Sequence, residues 1–93
     1  MPSRTVTLTN PTGLHARPAK VFAQAAAGTG LQVRLTKGDT TVNARSVLSV
    51  LTLDCHLGDE VTIEVDGDGA DAALSELVNL VETGLGEAEH QPS

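Results

Sequence analysis

One short segment holds the residue types that phosphoryl chemistry uses. His15 follows Gly13 and stands before a predicted helix whose first turn holds Arg17 and Pro18. A helix start leaves backbone N–H groups without partners, and its dipole favours an anion there. Arg17 can hold phosphate oxygens through its forked guanidinium, and Pro18 fits because its missing N–H costs little. Gly13 lets the backbone bend close to the imidazole. The segment therefore indicates an anion site beside a histidine.

The imidazole of His15 is expected to be neutral and nucleophilic. The cation at Arg17 and the positive end of the helix both disfavour a charged ring. A neutral ring nitrogen beside an anion site can accept a phosphoryl group covalently. Cations are few here, and the chain has no P-loop. A phosphoryl group would therefore be held loosely at this site, which favours a carrier over a kinase or phosphatase. The alternative is that His15 only caps the helix or lies exposed in a loop, and has no chemical role.

Ser46 has two interpretations. As an N-cap it stabilises a short helix by about 1 kcal/mol, and this reading needs no function. Phosphorylated, it would place nearly two negative charges at the helix start, where the helix tolerates them. Those charges would oppose an acidic partner that approaches a basic face.

Two helix faces are candidates for a docking surface. Lys20, Gln24 and Ala27 lie opposite the core stripe of the first helix, where a solvated face is the alternative. The short helix carries more apolar residues than one stripe can bury, so Leu48 is expected to be exposed. Its neighbours are Val47 and Leu51, and simple core packing is the alternative for all three.

Composition excludes several classes of protein. Phe22 is the only aromatic residue among 93, which argues against single-stranded nucleic-acid binding. The net charge of −6 argues against a general polyanion binder. Residues 1–45 contain all six Lys and Arg residues and only one carboxylate, Asp39. This uneven distribution of charge predicts a basic face on an acidic body. Cys55 cannot form an internal disulfide, and no signal peptide or membrane span is predicted, so we expect a cytoplasmic domain without membrane insertion.

The elements are expected to form one α+β domain over residues 1–86, followed by a polar tail at 87–93. Apolar alternation predicts strands at 4–9, 31–35, 40–43 and 60–65. Helical spacing predicts helices at 16–27, 46–53 and 70–83, with Gly28 ending the first and Asp68 capping the last. A sheet whose strands have one apolar face needs helices packed on that face only, and its polar face can remain in contact with solvent. The β-α-β-β-α-β-α order therefore predicts an open-faced two-layer sandwich, with a four-stranded antiparallel sheet and three helices on one face.

No metal site or cofactor is predicted. Cys55 beside His56 falls two residues short of a zinc site, and His90 lies in the tail. Asp66 and Asp68 lack the later acidic ligands of a calcium loop, so they are interpreted as a turn.

Two segments resemble one family. Residues 13–19 and 42–51, and the distance between them in the chain, are similar to the HPr family. HPr proteins are the histidine phosphocarriers of the phosphoenolpyruvate-dependent sugar phosphotransferase system. The resemblance runs from about residue 3 to 86. It implies that His15 takes a phosphoryl group on Nδ1 from phospho-enzyme I and passes it to the IIA component of a sugar permease. Arg17 and backbone N–H groups such as that of Ala16 would contact this group. Ser46 matches a serine that a kinase modifies in some bacteria, a state that can bind a transcriptional regulator. The implied partner surface comprises Thr12, Lys20, Gln24, Ala27, Val47, Leu48 and Leu51.

The sequence also departs from this pattern. Ser49 and Asp54 fall where the family usually has glycine, and Cys55, His56 and Leu57 replace a loop of small residues. None of these departures is expected to touch the His15 site. Two alternatives stay open: a paralogue in a regulatory or dihydroxyacetone-kinase-linked phosphorelay, and a binding module that acts through the Ser46 helix without transfer.

Overall fold

The elements follow the predicted order. A computed structural model describes residues 2–9 and 11–85 of the chain. The strands and helices in this part are β1 (Ser3–Thr7), α1 (Ala16–Gly28), β2 (Gln32–Lys37), β3 (Thr40–Asn43), α2 (Val47–Thr52), β4 (Glu60–Asp66) and α3 (Ala70–Glu82).

The four strands form one antiparallel sheet in the order β1-β4-β2-β3. Side chains alternate between the two faces of a strand, so the register decides which residues meet. Val61 of β4 lies opposite Val6, and Ile63 lies opposite Leu35, which places apolar residues on one face. The other face is polar, as predicted: the hydroxyls of Thr5 and Thr62, for example, are 2.9 Å apart.

The helices cover the apolar face and complete the α+β sandwich. α1 buries a stripe centred on Phe22, and α3 buries Leu77 and its neighbours against β1 and β4. The short α2 packs on α1 and buries Val50. Alanines at 19, 23 and 26 let α1 lie close to the sheet, so one aromatic ring is enough to fill this layer.

Some element ends differ from the prediction. β1 ends at Thr7, yet Leu8 still exchanges backbone hydrogen bonds with residues 58 and 59, both 2.9 Å long. Gly28 is the last residue of α1 and Thr29 is its C-cap. Asp68 does not cap α3: the N-cap is Gly69, in the left-handed region at φ +81°, where no side chain can cap. The predicted tail at 87–93 lies outside the described residues.

Candidate functional site

His15 is the N-cap of α1, and its ring is not used for capping. Its backbone is extended at φ −83° and ψ −167°, and its side chain makes no cap hydrogen bond. The residue is held through its main chain, because its carbonyl accepts a 2.8 Å hydrogen bond from the Ala19 N–H. The exposed imidazole is therefore left for a ligand.

Only two backbone donors of α1 are available next to this ring. Pro18 has no N–H, and the Ala19 N–H already bonds to His15. The N–H groups of Ala16 and Arg17 have no hydrogen-bond partner among the described residues, as is usual at a helix start. The first turn also holds no acidic residue that would compete for them. These two donors can bind an anion weakly.

The positive charge near His15 is local to α1. Arg17 and Lys20 are exposed and form no ion pair within the described residues. Elsewhere Arg34 Nε lies 3.3 Å from Glu64 Oε1 on the open face of the sheet, and Lys37 Nζ lies 3.1 Å from Asp59 Oδ2. Folding thus brings carboxylates of the acidic half onto two cations of the basic half, so Arg34 and Lys37 add no unpaired charge to the predicted basic face.

The loop of residues 54–59 (the 54–59 loop) lies against the site. The ring centroids of His15 and His56 are 5.4 Å apart. Asp54 lines a hollow of about 170 Å³ together with Leu14, His15, Ala16 and Leu51. The expectation that the departures at 54–57 stay away from His15 is therefore wrong. The reason is a backbone hydrogen bond between the residue before His15 and the loop, in which the Leu14 N–H donates to Cys55 O at 3.0 Å.

Gly13 permits this contact. Its φ is +63°, and a Cβ there would lie 2.4 Å from Cys55 O and 2.5 Å from the His56 Cα. The glycine was predicted to bring the backbone close to the imidazole of His15. What it brings close is the backbone of the 54–59 loop.

Lys37 contacts both ends of the 54–59 loop through its ammonium group. Its Nζ donates to the Asp54 carbonyl at 2.8 Å and lies beside the Asp59 carboxylate. This hydrogen bond with Asp59 raises the pKa of Lys37. The pKa of Asp59 is lowered, first by the His56 backbone N–H that donates to it at 2.9 Å and then by Lys37. The loop is thus fixed by charged hydrogen bonds at both ends.

Cys55 and His56 have separate surroundings. The Cys55 side chain is buried in the core, and burial raises the pKa of its thiol. His56 is exposed, and its Nε2 lies 3.3 Å from Asp54 Oδ1. On sequence alone, Cys55 and His56 were weighed together and rejected as a zinc site, whereas the fold separates them and brings His56 close to Asp54 and His15. The departures at 54–57 were the signal that could have pointed to these residues.

α2 presents an apolar surface beside α1. The predicted N-cap is confirmed, since Ser46 Oγ accepts a 3.3 Å hydrogen bond from the Ser49 N–H. Leu48 is 77% exposed, as predicted, Leu51 is 36% exposed, and Val47 is half-buried. Leu57 is 58% exposed and was not predicted. The other predicted surface residues, Thr12, Lys20, Gln24 and Ala27, are exposed.

A larger hollow of about 280 Å³ lies between β2 and β3, away from His15. Its lining includes Arg34, whose guanidinium is already bonded to Glu64 and to Gln32 Oε1 at 3.3 Å. The chemistry-bearing residues are at the smaller hollow, which is therefore the candidate site.

A family model described as the phosphotransferase-system HPr component phosphorylation site matches residues 2–83. The chain belongs to the HPr family. Its function is that of a phosphocarrier of the phosphotransferase system, which carries a phosphoryl group and is not an enzyme. Membership of this family implies partners within that system. No helix in the described residues is both long enough and apolar enough to span a bilayer.

Individual relatives of the HPr family support this assignment. The chain is 49% identical to phosphocarrier protein HPr of Streptomyces coelicolor over 76 residues, which is 81% of this chain and 82% of the relative. It is 34% identical to the HPr of Cupriavidus necator over 96% of this chain and all of the relative. The crystal structure of HPr-C-His from Thermoanaerobacter tengcongensis superposes with a TM-score of 0.89 at 37% identity, covering 94% of this chain and 98% of that one.

Proposed function

We propose that His15 is the phosphoryl acceptor, that it is modified on Nδ1 by phospho-enzyme I, and that it donates to the IIA component of a sugar permease. The observation that carries this proposal is the exposed N-cap imidazole, which makes no cap hydrogen bond. Arg17 and the backbone N–H groups of Ala16 and Arg17 are the donors for the phosphoryl oxygens.

The transfer needs only a neutral ring. The tautomer with its hydrogen on Nε2 leaves a lone pair on Nδ1. This lone pair attacks phosphorus, the bond from phosphorus to the donor breaks, and its electron pair stays with the donor. The new phosphoryl oxygens then face the start of α1 and the guanidinium of Arg17. Within the described part of the chain, the donors here are two backbone N–H groups and one guanidinium without an ion pair, so binding is weak enough for the group to be passed on.

The proposed docking surface joins the exposed faces of α1 and α2. α1 supplies Lys20, Gln24 and Ala27, and Thr12 precedes His15; α2 supplies Val47, Leu48 and Leu51. These residues are exposed except half-buried Val47, and the two helices pack together. Lys20, which forms no ion pair with any residue that the structure describes, suits an acidic rim around an apolar patch on enzyme I or IIA.

Ser46 is proposed as a regulatory site, acted on by a serine kinase and its phosphorylase. Its hydroxyl is half-buried at the N-terminus of α2, next to exposed Leu48. A phosphate there would repel the acidic rim proposed for enzyme I while giving a transcriptional regulator a new group to recognise. We place this carrier in the cytoplasm, because its one thiol is buried and has no possible disulfide partner in the chain. We also propose that residues 1–86 form one domain and that residues 87–93 form a tail.

The deciding experiment is phosphorylation of the untagged chain by purified enzyme I and phosphoenolpyruvate. About one acid-labile, base-stable phosphate per chain is expected. His15→Ala should abolish it, and His90→Ala is the matched control that should keep it. A label that persists on His15→Ala would overturn the assignment. Chase with IIA then identifies the acceptor: label that passes to a dihydroxyacetone kinase instead of IIA would support the paralogue.

A further inference from the structure

Three ligand-type side chains meet beside the proposed acceptor. His15, Asp54 and His56 each offer one ligand atom, and these atoms lie within 4.8 Å of one another. All three side chains are exposed, so an ion from solvent can reach them. Two imidazoles and a carboxylate form a donor set that suits zinc, with the fourth position left to water. We propose that these residues bind a zinc ion, and that the zinc-bound chain cannot accept a phosphoryl group on His15.

Two of the donors already stand at coordination distance from each other. Zinc bonds of about 2.1 Å at tetrahedral angles put neighbouring ligand atoms about 3.4 Å apart. His56 Nε2 and Asp54 Oδ1 are 3.3 Å apart. The third donor is the exposed ring of His15, whose centroid is 5.4 Å from that of His56. Because the three ligand atoms already lie within 4.8 Å of one another, the third donor is at most about 1.4 Å from the spacing that tetrahedral zinc requires.

The backbone that carries these donors is fixed before any ion arrives. Leu14 N–H donates to Cys55 O at 3.0 Å, which ties the residue before His15 to the residue between the other two ligands. Lys37 Nζ donates to the Asp54 carbonyl at 2.8 Å. Asp54 has φ +53°, a conformation that aspartate tolerates better than most residues. This backbone therefore loses little conformational entropy on binding, and the entropic cost falls mainly on the three exposed side chains.

A second carboxylate lies near the other nitrogen of the His56 ring. The Nε2 of this ring faces Asp54, and its Nδ1 lies 3.9 Å from Asp59 Oδ2. Asp59 is itself held by Lys37 Nζ at 3.1 Å and by the His56 backbone N–H. Zinc bound at Nε2 would leave the ring hydrogen on Nδ1, the nitrogen nearer to Asp59. A small rotation of the His56 ring would bring Nδ1 within hydrogen-bond distance of this carboxylate, which would then support the inner donor set.

Zinc and phosphoryl would exclude each other because they need the same electrons. A neutral imidazole has one nitrogen with a lone pair and one N–H. Coordination uses the lone pair, whichever nitrogen carries it, and leaves none to attack phosphorus. This second half of the inference rests on His15 being the acceptor, whereas zinc binding itself does not.

Binding is tested by titrating untagged, unphosphorylated protein with zinc chloride in a calorimeter, with imidazole ¹H–¹⁵N spectra recorded alongside. One ion is expected to bind with a dissociation constant below about 100 µM and to shift the ring signals of His15 and His56. Asp54→Gly, which keeps the positive φ unstrained, and His56→Gln should each weaken binding roughly tenfold or more. Magnesium should not bind, because it prefers oxygen ligands. His90→Gln is the control; loss of zinc binding in it, or no loss in the other two variants, would overturn the site.

Exclusion is tested by phosphorylation with enzyme I, each variant being referred to its own zinc-free rate. At a zinc concentration close to the dissociation constant of the unmodified chain, zinc should slow phosphorylation of that chain and slow Asp54→Gly much less. This comparison separates an effect on the carrier from one on enzyme I. Equal inhibition of both would refute the exclusion. Absence of phosphorylation without zinc would instead refute the acceptor assignment, so the two failures are distinguishable.

Discussion

The imidazole rings of His15 and His56 lie 5.4 Å apart and are inclined by 56°. One ring stands at the N-cap of α1 and the other in the 54–59 loop, which follows α2. The contact results from a backbone hydrogen bond between Leu14 and Cys55 and from the missing Cβ of Gly13. The proposed acceptor thus has a second histidine and a carboxylate, Asp54, as neighbours.

Arg17→Ala should slow phosphoryl transfer without blocking it. The guanidinium has no ion-pair partner in the described residues, so its loss removes one charged contact to the phosphoryl group and nothing structural. Such a contact corresponds to roughly 10- to 100-fold in rate. Rapid-quench transfer from phospho-enzyme I measures this effect. Arg17→Lys should recover part of the rate, since it restores the charge without the fork, and an unchanged rate in Arg17→Ala would show that the side chain is a bystander.

Gly13→Ala should destabilise the fold more than Gly30→Ala. Both glycines have positive φ, +63° and +72°, so each alanine has a backbone cost of roughly 1–3 kcal/mol. At Gly30 a new Cβ meets nothing within 4 Å, whereas at Gly13 it would lie 2.4 Å from Cys55 O. Urea unfolding of the two variants isolates the clash. Equal losses would mean that the contact between Gly13 and the 54–59 loop is not tight in solution.

Ser46→Ala should lower the free energy of unfolding by about 1 kcal/mol, because the cap to the Ser49 N–H is lost. Ser46→Asp keeps an acceptor at the cap and adds a charge that the helix dipole favours. Its stability should therefore stay close to that of the unmodified chain, as measured by urea unfolding. An aspartate variant as unstable as the alanine one would refute the N-cap reading of Ser46.

Leu48→Ala should leave stability nearly unchanged but weaken docking. The side chain is 77% exposed, so folding buries little of it, and we expect a change within about 0.5 kcal/mol. The matched variant is Val50→Ala, which is fully buried on the same helix and should lose about 2 kcal/mol. Transfer rates at varied enzyme I concentration test the docking role. If Leu48→Ala left the KM for the carrier unaltered, Leu48 would not belong to the partner surface.

Stability should fall with acidification partly through Asp59. Its pKa is lowered in the folded protein, so its contribution is complete above the unfolded value of about 3.8 and is lost as pH falls through the lower folded pKa. Lys37 has a raised pKa, so its contribution is complete below about 10.5 and is lost as pH rises through the raised value. Urea unfolding from pH 2 to pH 6 should show a shallower acid dependence for Asp59→Asn, with Asp39→Asn as the control. An unchanged slope in Asp59→Asn would contradict this assignment.

Local patterns in the sequence were enough to predict much of this protein. The alternation in 60–65 and the helical spacing in 16–27 determine β4 and α1, because each element shows its own periodicity within a few residues. The N-cap at Ser46 and the exposure of Leu48 are local in the same way. Asp68 was wrongly predicted as a cap because α3 begins one residue later, with Gly69 in the left-handed region as its N-cap, and spacing alone does not separate these two starts.

The surroundings of His15 were decided only by the tertiary structure. Side-chain types near His15 in the chain indicated an anion site, but nothing local brings Asp54 and His56 to it. Their approach depends on a hydrogen bond and a close backbone contact between segments that lie far apart in sequence. The pairing of Lys37 with Asp59 has the same origin, because the excess of cations in one half of the chain does not determine which carboxylate each cation pairs with. Periodicity is a property of neighbours along the chain, whereas these contacts exist only once the sheet and helices have packed.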